Sequence, residues 1–150
     1  MPTLTIIYAS TSGHTEYVVD QVKLVWPESE SIRVELAKAE DLQKGDVVCL
    51  ASSTWNTGGI EGQMNPYMHR YLKEQMKDVD LKGKRVLLIS LGDHRYHYTC
   101  GSADHMKEFV ETHGGVVVEP ILKIVNEPYG QEETVKAWVK EISRFLIPNS

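Results

Sequence analysis

Cysteine is scarce in this chain, with two residues in 150. That excludes a disulfide scaffold and makes a reducing, cytoplasmic setting the expectation. Long apolar runs are missing too. The longest, Val47–Ala51 and Val86–Ile89, fall far short of the roughly 18 residues of a membrane span, so no membrane insertion is expected. Met1-Pro2-Thr3 leads directly into an apolar segment without a basic stretch, so no secretion signal is expected. Basic charge is not in excess: the net charge is -5. Nucleic acid is therefore not an expected partner, because phosphate backbones call for a basic face. There is no internal repeat, low-complexity tract or linker. What is there is ordinary globular stock, 41% hydrophobic and 25% charged, in a length that suits a single core.

Short apolar segments alternate with amphipathic ones. Leu4–Tyr8, Ser31–Leu36, Asp46–Ala51, Arg85–Leu91 and a fifth segment over Val116–Val118 and Ile121-Leu122 read as strands. Thr15–Trp26 (ended by Pro27), Gln63–Lys77, Ala103–His113 and Glu132–Leu146 read as helices, with a further short helix before the third strand. Strands that alternate with helices and are apolar throughout their centres predict an α/β fold with a doubly wound parallel sheet and helices on both faces. Ligands of such sheets sit at the carboxyl ends of the strands, where the winding reverses. The informative loops are those after strands one, three and four.

Ser10-Thr11-Ser12-Gly13-His14-Thr15 follows the first strand and opens a helix. It offers four hydroxyls, a permissive glycine and the unpaired N–H groups of a helix start, which together suit an anion. It has no Lys or Arg and matches neither the G-x-x-x-x-G-K of nucleotide hydrolases nor G-x-G-x-x-G, so a phosphate monoester is the better fit. Helix capping alone is the plainer alternative. Ser52–Gly59 sets Trp55 in a polar, glycine-rich turn, and Gly92–Gly101 brings Tyr96 and Tyr98 to the next loop. Two aromatic loops beside a phosphate loop suggest a planar ring clamped between them.

These three loops resemble those of the flavodoxin family. Ile6–Glu16 is similar to its phosphate-loop signature, Ser53-Thr54-Trp55 to its first flavin-flanking loop, and Gly92-Asp93-His94-Arg95-Tyr96-His97-Tyr98-Thr99-Cys100-Gly101 to its second. The resemblance extends through Leu122-Lys123-Ile124 and Pro128 to the last helix, with no insertion in the final strand, which implies the short-chain branch. It implies one flavodoxin-like domain over residues 1–150 with five parallel strands in the order 2-1-3-4-5. It also implies non-covalently bound FMN. Ser10, Thr11, Ser12, Gly13, His14 and Thr15 would take the phosphate. Trp55 and Tyr96 would cover the two ring faces, while the backbone of Thr54, Asn56, Gly92, Asp93 and Cys100 meets the ring edges. Ser53, Thr57, Leu91 and Thr99 would complete the flanking loops.

The implied activity is that of a low-potential one-electron carrier, a monomer passing electrons from a reductase to acceptor redox proteins and catalysing no reaction of its own. An FMN-binding accessory protein or a small NAD(P)H-dependent flavin reductase is the alternative. Some residues depart from the family pattern. His94, Arg95 and His97 add positive charge to the second loop and predict a less negative potential. His14 stands where an amide is usual, which predicts pH-dependent cofactor affinity; Asn56 stands where glycine is frequent. His94-x-x-His97 lacks further ligands at metal spacing, so no metal is expected. Cys49 reads as core; Cys100 precedes a helix, where a thiolate would be stabilised, and the resemblance implies a cysteine there without redox use.

Overall fold

The computed structural model describes residues 2–57, 59–93 and 99–146. The first strand, β1 (Leu4–Ala9), is buried throughout and feeds α1 (His14–Val25). β2 (Ser29–Arg33) follows, then two short 3₁₀ turns over Val34–Leu36 and Ala39–Gln43, and the long β3 (Val47–Thr57). β4 (Ile60–Met64) and α2 (Pro66–Arg70) come next, α2 running on into a wide π-type turn over Tyr71–Gln75. The chain ends with β5 (Arg85–Gly92), α3 (Ser102–Thr112), β6 (Val116–Val117), β7 (Leu122–Val125) and α4 (Glu132–Leu146).

β2, β1, β3 and β5 lie side by side in parallel, Leu4 pairing with both Ser29 and Val47, and Val47 with Arg85. The fifth position is shared: β6 pairs with the start of β5 and β7 with its end, Gly92 opposite Val125. Counted by position, this is the expected 2-1-3-4-5 arrangement. The direction of winding reverses between β1 and β3, so their carboxyl ends form a crevice.

Alternation along the strands divides the core into two layers. Val47, Cys49, Ala51, Leu87, Ile89 and Leu91 face α1 and α4, where Trp26, Val135 and Trp138 are buried. Val48, Leu50, Val86 and Leu88 face the other way, toward Met64, Met68, Tyr71, Met106 and Phe109. Helices thus cover both faces. Among the described residues no helix is long and apolar enough to cross a membrane.

Three elements differ from the sequence reading. The second strand is Ser29–Arg33, not 31–36, because β1 ends one residue beyond its Tyr8–Arg33 pairing and Val34–Leu36 turns away from the sheet. A helix does not run from Gln63. Pro66 drives the residue before it out of the helical region, and Asn65, with φ -49° and ψ 142°, caps α2 instead. The segment ahead of it forms β4, an antiparallel partner of β3 that raises the sheet to seven strands.

Candidate functional site

The crevice at the carboxyl ends of β1, β3 and β5 is a cleft of about 760 Å³, within the ordinary range for ligand sites. Its floor at the β1 end is the loop that opens α1. Gly13 holds φ 92° as the N-cap, a left-handed conformation that other side chains adopt only with strain. The first helical bond runs from the Tyr17 N–H to Gly13, and the Glu16 N–H is taken by Ser10 Oγ at 3.2 Å. Among the described residues, the N–H groups of Thr11 to Thr15 make no hydrogen bond. Five consecutive donors at a helix start, left without partners, are what an anion requires.

Ser10 is buried and structural: Arg33 donates to its carbonyl at 2.6 Å while pairing with Glu16 and Glu35. Arg33, which touches the loop, is thereby held between two carboxylates. Thr11 and Ser12 are exposed, and Ser12 and His14 line the cleft. Thr15 is buried. His14 is the first residue of α1, and its ring meets the edge of Tyr129 at 5.6 Å.

Trp55 lies in β3, paired with Gln63, rather than in an irregular turn. Its indole N–H donates to Ser53 Oγ at 2.7 Å, and it stays 39% exposed on the cleft wall. Thr54 and Asn56 flank it on the same wall, Asn56 within a bulge between Trp55 and Thr57. Asn56 does not hold a positive φ; the described non-glycine residues that do are Cys100 and Asn126. Thr57 turns inward and donates to Met64 O at 2.8 Å, closing the β3–β4 hairpin.

Leu91, Gly92 and Asp93 supply the opposite side of the cleft. Thr99 donates to Asp93 O at 3.0 Å, pinning the base of the loop whose middle, residues 94–98, lies outside the described residues. The expected second wall, Tyr96, and the basic residues His94, Arg95 and His97 fall in that stretch. Cys100 does not line the cleft. Its side chain is buried, its sulfur lies 3.7 Å from both Ser90 O and Ile124 O with one S–H to share between them, and burial pushes its pKa up.

Two lining residues went unforeseen, Asn126 and Glu127, which follow β7. Asn126 takes φ 68° and its N–H donates to Gly92 O at 2.7 Å, turning the chain over the cleft. An asparagine directly after an apolar strand was the available signal, since asparagine tolerates that conformation. Among the described lining residues the charged side chains are Asp93 and Glu127, and neither Lys nor Arg contributes. No group of three or more His, Cys, Asp or Glu among the described residues is placed to hold a metal.

Comparison with known proteins agrees with this geometry. A family model described as flavodoxin matches residues 6–138. A flavodoxin of Maridesulfovibrio salexigens is 33% identical over 139 residues, 89% of this chain and 91% of the relative. One from Nitratidesulfovibrio vulgaris is 30% identical over 151 aligned positions, 97% of this chain and 100% of the relative. Among solved structures, oxidised flavodoxin 2 of Bacillus cereus superposes with a TM-score of 0.84 at 26% identity, covering 95% of this chain and 98% of that one.

Proposed function

This chain belongs to the flavodoxin family, and on that premise we propose how its own residues hold the cofactor. The protein is an FMN-binding electron carrier that serves redox partner proteins and catalyses no reaction of its own. Bound FMN supplies the one-electron redox centre. The observation that carries the assignment of residues is the row of open N–H donors from Thr11 to Thr15, in a loop free of Lys and Arg. These donors, with the hydroxyls of Ser10, Thr11, Ser12 and Thr15 and with His14 and Gly13, form the phosphate site in our reading. A phosphate monoester is acceptor-only when ionised, so a cradle of donors suits it.

Trp55, fixed through its N–H to Ser53, serves as one wall for the ring, and Tyr96 as the other. Thr54, Asn56, Thr57, Leu91, Gly92, Asp93, Thr99 and Cys100 set the edges of the ring pocket, Thr57 and Cys100 by shaping the backbone from behind. Asp93 and Glu127 on the cleft oppose added negative charge there, and Arg33 is occupied by its two carboxylates. Both features favour a low potential. We further read residues 1–150 as a single domain acting as a cytoplasmic monomer between a reductase and one or more acceptors. The accessory-protein and flavin-reductase alternative is not favoured, since the relatives reported above carry the flavodoxin name.

Addition of FMN to the apoprotein, followed by anaerobic reductive titration, tests this reading. Quenching of flavin fluorescence at one equivalent and two resolved one-electron steps are expected. Absence of quenching refutes the site, and direct two-electron reduction by NAD(P)H alone returns the reductase alternative.

A further inference from the structure

Asn65 is fully buried and lies 54 positions from the phosphate loop, yet its side chain reaches it. Its main-chain N–H is shared between Ser52 Oγ at 3.0 Å and Ser53 O at 3.2 Å, which ties it to the end of β3. Its side chain has two partners. Oδ1 accepts from the Tyr67 N–H at 2.9 Å as the cap of α2, and Nδ2 donates to Thr11 Oγ1 at 2.9 Å. The orientation of this amide follows from chemistry. A backbone N–H can only donate, so the atom facing Tyr67 must be the oxygen, and the NH₂ must face Thr11.

That polarity fixes the role of Thr11. A hydroxyl has a single proton, and here it is not needed to hold Asn65, because Thr11 receives that bond. The proton stays available at an exposed position beside the open N–H groups. An ionised phosphate offers acceptors alone.

We propose that Asn65 is a positioning residue that keeps Thr11 a hydrogen-bond donor toward the phosphate, and so sets preference for phosphorylated flavin without touching it. The inference rests on the reading of Ser10–Thr15 as the phosphate site. Asn65→Asp inverts the arrangement at nearly constant shape. The new carboxylate still accepts from Tyr67 but claims the Thr11 proton for itself, and it adds a negative charge behind the loop.

The measurement is the dissociation constant of the full chain, stripped of flavin, for FMN and for riboflavin, which lacks the phosphate. Wild type is expected to prefer FMN. Asn65→Asp should weaken FMN by about 10–100-fold, the worth of one charge-assisted hydrogen bond, and riboflavin by less than about threefold. Thr11→Val should lower the same ratio, and the double variant should lose less than the product of the two, because both act on one proton. If Asn65→Asp fails to fold, Asn65→Ser keeps a capping oxygen but loses the reach to Thr11, and the same ratio is read. A variant that weakens both flavins equally, or neither, overturns the positioning role. Equal affinity of wild type for FMN and riboflavin would instead overturn the phosphate site, and this inference with it.

Discussion

Serine and threonine gather in two places in this molecule, with opposite outcomes. In Ser10–Thr15 the hydroxyls are partly exposed and five successive N–H groups lack partners among the described residues. Behind the cleft, Ser52, Ser90 and Ser102 are fully buried, and every hydroxyl is engaged. Ser102 Oγ lies 2.6 Å from Ser90 Oγ and 3.1 Å from Ser52 O, while Thr54 Oγ1 both donates to Ser102 Oγ at 3.2 Å and accepts from its N–H at 3.3 Å. Ser90 Oγ also donates to Cys100 O at 3.2 Å in the same web. Residue types are alike in the two regions, so composition does not decide which one binds. The decisive difference is whether the backbone donors are consumed by the protein or left for a ligand. A closed network cannot open without leaving buried groups unpaired. An open loop gains partners only when an anion arrives.

The largest test of that contrast is steric. A Cβ built at Gly101 would lie well inside contact distance of the Gly62 carbonyl oxygen, so α3 and the β3–β4 hairpin meet backbone to backbone. Gly101→Ala should cost about 3 kcal/mol of stability in urea unfolding, because neither backbone can yield alone. An unchanged midpoint would mean that the closed region is softer than its bonding implies.

Next in size is a matched pair of substitutions. Ser102→Ala takes a shared partner from Ser52 O, Ser90 Oγ and Thr54 Oγ1 behind the cleft and should cost about 1–3 kcal/mol of stability, with FMN affinity within about threefold of wild type. Ser12→Ala, on the exposed side, should leave stability within about 0.5 kcal/mol and weaken FMN instead. If both variants lose affinity alike, the two regions are one functional unit and the comparison fails.

Much of this was legible in the sequence for physical reasons. Val47–Ala51 and Val86–Ile89 are apolar on both faces because they are covered on both faces, and the alternation of strand and helix leaves few topologies. The phosphate loop shows itself through local chemistry, a glycine among hydroxyls ahead of a helix. The β4 strand does not show itself. Ile60-Glu61-Gly62-Gln63-Met64 carries no run of β-branched residues, and it is a strand through its pairing with Trp55 and Thr54. The Asn65-Pro66 dipeptide carries a turn signal that the helical reading of 63–77 does not use. The bond from Asn65 to Thr11 spans two distant loops, and no local pattern encodes such a contact.

The finest test lies at the edge of the closed region, at Cys100. This residue holds φ 57° with its thiol directed inward at two carbonyls. Burial raises its pKa above the ordinary thiol value of 9.0, with the Ser90 bond and Lys123 acting weakly the other way. The sign for stability follows. In the unfolded chain the thiol ionises near pH 9, whereas the folded protein keeps its proton to higher pH, so the unfolded state binds fewer protons in that window and is favoured there. The stability due to this group is complete below pH 9 and declines as pH rises from 9 toward the folded value. Cys49 is buried and raised in the same direction, so a single substitution removes only part of the alkaline slope. Cys100→Ala should flatten it by up to about 1.4 kcal/mol per pH unit, read from urea midpoints at pH 8, 9 and 10. FMN affinity at pH 7 should stay within about twofold, because the thiol faces the strands and not the cleft. A slope that does not change, or a thiol that reacts with disulfide reagents as fast in the folded protein as in urea, would mean that this edge opens readily. It would then belong with the phosphate loop among the parts of the molecule left open to a ligand.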